Sequence, residues 1–209
     1  MSQSRKFNWK ALGRGVLVAS LPVVLGLGAF VGYAVAHNNF HMVSPGKVYR
    51  SGQMNAAALD RAISEHGIKT IINLRGSSRD QDWYQVETNR AQQLGAQHYD
   101  FSLSAGREVS DAEMEQILAV MHDAPKPLLI HCKNGADRSG LMSALYLYSL
   151  EGKSASAADR ELTVWYGHIP HLFWRDTIAM DRSFWRFVSN HVQQPNPGEA
   201  RANHPLTKN

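Results

Sequence analysis

The stretch His131-Cys132-Lys133-Asn134-Gly135-Ala136-Asp137-Arg138-Ser139-Gly140 decides how this chain folds. An apolar run, Pro127-Leu128-Leu129-Ile130, leads into it, and Leu141-Met142 leaves it. That order predicts strand, tight loop, helix. Such a loop turns several backbone N–H groups inward over a helix N-terminus and makes a cradle for an anion. It also carries the only cysteine in 209 residues. A cysteine in that field exists largely as thiolate, so one loop holds a nucleophile and an oxyanion site. Arg138, six positions on, closes over the loop and grips two oxygens of a phosphate with its planar fork, which lysine does not do.

Outward from the loop, strands and helices alternate. Lys47 to Ser51 reads as a first strand ended by Gly52. Asn55 caps a helix whose Leu59, Ala62 and Ile63 share a face, and Gly67 stops it. Ile68 to Leu74 is a β-branched run and a buried strand. Asp82 to Leu94 is helical, and Gln97 to Phe101 is the next strand. Ser110-Asp111-Ala112-Glu113 is a capping box that opens a helix with Met114, Ile117, Leu118 and Met121 inward. After the loop, Leu141, Ala144, Leu145 and Tyr148 face the core of the following helix. Further helices cover about 155–166 and 178–192. The fold class is therefore α/β, a mostly parallel central sheet flanked by helices, with the site at a strand C-terminal end.

The loop, with His131 before the cysteine and Ser139-Gly140 after the arginine, resembles the phosphate-binding loop of the cysteine-dependent protein tyrosine and dual-specificity phosphatases. Tyr49-Arg50-Ser51-Gly52-Gln53 and Ile71-Ile72-Asn73-Leu74-Arg75 extend the likeness over roughly residues 43 to 165. Their order is similar to the compact bacterial and fungal branch of the dual-specificity group. The resemblance implies two in-line steps: attack by Cys132 on phosphorus, then hydrolysis of the phosphocysteine by water. It also implies that Arg138 and the loop positions His131, Lys133, Asn134, Gly135 and Ala136 hold the phosphate. Ser139 donates a hydrogen bond to the departing sulfur, a role compatible with capping the next helix, which is its alternative reading. His131 orients the loop through its side chain.

The general acid departs from the family pattern. These phosphatases carry an aspartate on a loop ahead of the cysteine, and Ser102-Leu103-Ser104-Ala105-Gly106-Arg107-Glu108 has none. Asp137, inside the loop and next to Arg138, is the first candidate, ahead of Asp111, Asp100 and Glu108. Lys133 adds charge at the rim, as in phosphatases of phosphoinositides, and Arg75 either reaches the pocket mouth or is a solvated surface arginine. Trp83-Tyr84 walls the entrance or joins the core, and the aromatic stretch Trp165-Tyr166 to Leu172-Phe173-Trp174 reads as core ahead of a membrane-surface contact. His168 and His171 give H-x-x-H, but Pro170 interrupts the face and no carboxylate set accompanies it, so no metal and no cofactor is expected.

The net charge of +4 has one source, Arg5, Lys6, Lys10 and Arg14. Without them the chain carries 18 basic and 18 acidic residues, which gives no reason to expect nucleic acid. Val16 to Ala36 is uncharged and mostly apolar, about 31 Å as a helix, enough to span a bilayer. The basic flank keeps the N-terminus cytoplasmic and exports the body to the periplasm. A signal peptide cut after Ala34-Val35-Ala36 is the rival reading. The expected layout is a basic tail (1–15), an anchor or signal segment (16–36), a tether (37–46), a phosphatase domain (47–192) and a disordered tail (193–209). The expected activity is hydrolysis of phosphomonoesters on phosphoprotein, that of a protein tyrosine or dual-specificity phosphatase, chiefly on phosphotyrosine. A lipid or inositol phosphate substrate is the alternative, and a phosphate-binding pseudoenzyme is the non-enzymatic one.

Overall fold

The computed structural model describes residues 36–170 and 176–192, with Leu21, Pro22, Leu25, Gly26, Gly28, Ala29 and Gly32 ahead of them. No helix among the described residues is long and apolar enough to cross a membrane. The basic tail, most of the 16–36 segment, His171 to Arg175 and the 193–209 tail lie outside the described residues.

Five strands form one sheet in the order β1-β2-β5-β3-β4. They are β1 (His41–Ser44), β2 (Val48–Ser51), β3 (Thr70–Asn73), β4 (Gln97–Asp100) and β5 (Leu128–His131). All neighbours run parallel except β1, which is antiparallel to β2. The strand that feeds the loop is thus central. Its neighbours pair with it in register up to its last residue, Ser51 and Asn73 both opposite His131.

Helices cover both faces, because a parallel sheet is apolar on both. Leu128 and Ile130 join one core with Ile72, Val48 and the inward faces of α3 (Asp111–Asp123), α4 (Asp137–Leu145) and α6 (Ile178–Val192). Leu129 and Ile71, one residue out of phase, join the other with α1 (Ala56–His66) and Ala91 of α2 (Asp82–Gln93). The local signals act as expected. Asn55 accepts from the Ala58 N–H at 2.9 Å, Gly67 ends α1 at φ 64°, and Ser110 and Glu113 form the capping box.

Three expectations need correction. The 37–46 tether is folded: β1 pairs with the edge of β2, and Phe40 stacks on Tyr49 and His66 at 5.4 and 4.9 Å. Pairing removes the open edge that β2 would otherwise present. The 155–166 helix is one turn, α5 (Ala155–Ala158), followed by the 3₁₀ turns Asp159–Glu161 and Val164–Tyr166. Trp165 is not core, since 72% of it is exposed.

Candidate active site

Cys132 leaves the end of β5 and lies 2% exposed at the floor of the loop. The loop's carbonyls turn outward, each against a donor. Lys133 O accepts from the Gln53 N–H at 3.1 Å, and Asn134 O from Asn39 Nδ2 at 3.0 Å. Gly135 O and Ala136 O accept from Arg50 Nη2 at 2.9 and 2.8 Å. With the carbonyls so held, the amides face inward, and those of Asn134 and Ser139 point at the Cys132 sulfur. The α4 N-terminus has no side-chain cap, which leaves its first N–H groups to the cradle.

Close approach fixes this shape. Gly135 sits at φ 71°, and a Cβ there would lie 2.5 Å from the Gly52 nitrogen. Gly52 in turn packs its own Cα side against Lys133 O and the Asn134 carbonyl carbon, both 3.2 Å from where a Cβ would stand. Both glycines are needed for the turn after β2 to nest into the loop.

Burial pushes the Cys132 thiol up, but the Ser139 hydroxyl, the Arg138 guanidinium and the two amides outweigh it and hold the thiol below its ordinary value. Ser139 Oγ is 3.5 Å from Cys132 Sγ and fully buried. The N-cap of α4 is Ala136, which offers no side-chain cap, and Ser139 Oγ faces the sulfur. Arg138 Nη1 donates to Leu74 O and Leu103 O at 3.2 and 3.1 Å, while its buried Nε–H has no protein partner. The fork is thus anchored on one side with a donor left for a ligand.

Arg75 stands beside this group. Its Nη1 donates to Gln53 Oε1 at 2.7 Å, and its guanidinium lies 3.5 Å above the Trp83 ring. Burial, then the charge of Arg138, lowers its pKa, so the two guanidiniums feel each other. Lys133 and Asn134 are exposed at the rim, and Gly135 and Ala136 are buried beneath it. Tyr84 belongs to the core and donates to Asp100, while Trp83 is half-buried under Arg75.

The carboxylates read as acids are all engaged. Asp137 is 7% exposed, with Oδ1 2.8 Å from His168 Nδ1, and the far side of that ring, Nε2, is 2.9 Å from Asp181 Oδ2 of α6. Burial pushes His168 down, but the two aspartates raise it to about 9, so it is an imidazolium between two anions at neutral pH. Asp100 accepts from Asn73 at 2.7 Å and from Tyr84. Asp111 accepts from Arg186 and Asn190 at 3.2 and 2.6 Å, and Glu108 pairs with Arg186.

Sequence reading missed four residues that build the site. Arg50 is completely buried, bridges the loop to Glu161 at 2.7 Å, and lies 4.5 Å from the Tyr166 ring. Its signal was a charge next to Val48 and Tyr49 in an expected strand. Glu87, with Tyr84 and Ala91 on the buried face of α2, contacts His131 at 3.0 Å. A charge on an apolar helix face was legible. His168 and Asn39 gave no such signal, because their partners lie 31 and 95 residues away.

A model of the DSP-PTPase phosphatase fused to NAD+ kinase matches residues 34–168. The dual specificity protein phosphatase TpbA of Pseudomonas aeruginosa is 29% identical over 126 residues, 59% of this chain and 53% of that protein. The chain therefore spans about half the length of the curated relatives it matches. The crystal structure of P. aeruginosa TpbA superposes with a TM-score of 0.50 at 25% identity, covering 72% of this chain and 91% of that one. The catalytic core of the PP-IP phosphatase Siw14 of S. cerevisiae shares the fold, with a TM-score of 0.54 at 21% identity over 75% and 94% of the two chains. With well over half its length matched, this chain belongs to the DSP-PTPase family whose described member is a phosphatase fused to NAD+ kinase.

Proposed function

We propose that this protein hydrolyses phosphotyrosine on proteins through a phosphocysteine intermediate. The observation that carries the reading is Cys132, held below its ordinary thiol pKa inside a ring of inward amides and beside Arg138 and Ser139. The thiolate sulfur bonds to phosphorus as the phosphorus–oxygen bond to the leaving group breaks. Loop amides and Arg138 take the charge on the equatorial oxygens. Water then displaces the sulfur, releasing inorganic phosphate, and Ser139 donates to the departing thiolate.

The state of the carboxylates bears on the substrate. Asp137, Asp111, Asp100 and Glu108 are each committed to a protein partner. A site with little acid assistance favours a leaving group that needs little protonation, and a phenolate needs less than an alkoxide. That supports tyrosine over serine, threonine or an inositol hydroxyl. A TpbA structure carries phosphotyrosine, which agrees with this direction. Arg75 and exposed Lys133 beside the cradle favour the second reading, an inositol or lipid phosphate with several charges.

Turnover of a phosphotyrosine peptide, a phosphoserine peptide and a phosphoinositide, each against Cys132→Ser, tests the reading. Phosphotyrosine turning over fastest is expected. Preference for the phosphoinositide establishes the second reading, and tight binding without turnover of any of them establishes a pseudoenzyme. We also propose, from the basic flank and the apolar run 16–36, that the catalytic body is membrane-anchored and extracytoplasmic. A reporter active only outside the cytoplasm, fused after His37, gives signal in the membrane fraction if so. Cytoplasmic signal refutes export.

A further inference from the structure

Beneath the catalytic loop, Glu87 of α2, His98 of edge strand β4 and His131 at the end of β5 bring one ligand atom each within 4.8 Å of one another. We propose that these three side chains form a binding site for a divalent ion of the zinc class, set against the base of the loop and separate from the phosphate cradle.

The spacing fits. His98 Nε2 is 2.9 Å and His131 Nε2 3.0 Å from the same oxygen, Glu87 Oε1. Tetrahedral zinc with bonds of about 2.0–2.1 Å holds its ligand atoms about 3.3 Å apart, so each of these pairs opens by a few tenths of an ångström. The His131 contact is close and charged but poorly aligned. Its Nε2 is buried and within reach of Oε1, yet it has no aligned hydrogen-bond partner. A buried ring nitrogen beside a carboxylate and without a hydrogen bond is one that a shared ion would satisfy.

The surrounding contacts hold the ligands. Gln53 Nε2 donates to Glu87 Oε2 at 2.6 Å, which fixes the carboxylate and leaves Oε1 facing the histidines. His98 Nδ1 lies 3.8 Å from Asp100 Oδ1, itself held by Asn73 and Tyr84. Carboxylates and amides placed behind ligands in this way orient them toward a metal. Two imidazoles and a carboxylate suit zinc, cobalt(II) or nickel(II) rather than calcium or magnesium. Entry is from the His98 side, since that ring keeps 12% of its surface in solvent at the sheet edge, against 2% and 3% for the others. A water completes the fourth position there. Because His131 adjoins Cys132, occupancy couples the loop to the metal, and the ion takes no part in phosphoryl transfer.

Cobalt(II) titrated into the untagged, metal-free full chain tests this. The expected spectrum has visible d–d bands without thiolate-to-cobalt charge transfer. It persists in Cys132→Ser, and zinc displaces it. His98→Gln, at the half-buried edge, should weaken binding by more than the roughly tenfold to hundredfold that loss of a supporting residue costs. A thiolate charge-transfer band that vanishes in Cys132→Ser places the ion on the nucleophile and overturns the proposal. So does the absence of saturable cobalt binding by the wild-type chain, which needs no variant to fold. If His98→Gln is unfolded by circular dichroism, the histidine resonances of the wild type replace it. Shifts on zinc addition confined to rings other than His98 and His131 refute the site.

Discussion

His168 offers the sharpest test of how the catalytic loop is held, because its charge can be read out through stability. In the fold it sits between Asp137 of the loop and Asp181 of α6, and its pKa rises from 6.5 to about 9. At about 1.4 kcal/mol per tenfold change in proton affinity, that shift corresponds to about 3 kcal/mol. Asp181 keeps 24% of its side chain in water, so screening trims the figure to about 2 kcal/mol. Asp159 attracts the imidazolium but repels Asp181, so its two effects oppose each other. The folded pKa lies above the unfolded one, so the contribution is fully present below about pH 6.5 and disappears as pH rises through about 9. The measurement is the thermal midpoint of wild type and His168→Gln across that range. For a domain of this size about 2 kcal/mol moves the midpoint by about 4–8 °C. The gap between the two proteins should be widest near pH 6 and should narrow by that amount toward pH 9.5. A gap that stays constant over the range refutes the reasoning, because the deletion of a neutral packing side chain predicts that outcome.

Arg50→Ala should cost about 3–5 kcal/mol, since it strands buried Glu161 and frees the carbonyls of Gly135 and Ala136; denaturant titration measures it, and a loss below about 1 kcal/mol shows that the bridge is not structural. Ser139→Ala should raise the pH midpoint for alkylation of Cys132 by iodoacetamide, because the hydroxyl leads the influences that lower the thiol; an unmoved midpoint assigns the activation to Arg138 and the amides. Arg138→Lys should lose nearly as much kcat/KM as Arg138→Ala, because a point charge does not replace a planar fork; near-normal kinetics in the lysine variant would falsify bidentate phosphate binding. Asp137→Asn should lower turnover of p-nitrophenyl phosphate and of alkyl phosphates by similar factors if the aspartate braces the loop through His168, whereas selective loss with alkyl leaving groups restores it as the acid.

Local chemistry made much of this molecule legible. The loop spacing, the capping box at Ser110, the stop at Gly67 and the β-branched run into Leu74 each act within a few residues, and each is in place. Cys132, Ser139 and Arg138 meet because one turn of chain carries them. What could not be read depends on the far side of the fold. β1 exists because β2 has an edge to cover, and nothing within His41–Ser44 announces that partner. Asp137 shows the same limit from the other direction. Its position beside Arg138 suggested proton transfer, but the ring that occupies its oxygen comes from a segment 31 residues later. Trp165 looked like core by composition, and the geometry of the turn before Gly167 left it outside.

The loop is restrained on every side that does not face the phosphate. Arg50 holds its carbonyls from β2, Asn39 from just ahead of β1 and Gln53 from just after β2, Glu87 holds His131 from α2, and His168, itself held by Asp181 of α6, holds Asp137. Oxyanion stabilisation works only with donors that are already aimed before charge develops, since reorganising them during the reaction would consume the energy they supply. A loop of small residues does not hold its amides inward by itself, because amides and carbonyls alternate and either set can face the centre. Buried charge settles the choice here. Fully buried Arg50 needs acceptors; Glu161 satisfies Nη1 and two loop carbonyls satisfy Nη2, so satisfying the arginine and drawing those carbonyl oxygens out of the cradle are one event. The same logic explains why the brace is ionic rather than apolar. A leucine at position 50 would fill the volume and leave Gly135 O and Ala136 O free to turn toward the thiolate, where their negative ends would raise its pKa. The cost of burying a guanidinium is therefore tied to the reactivity of a sulfur on the other face of the loop.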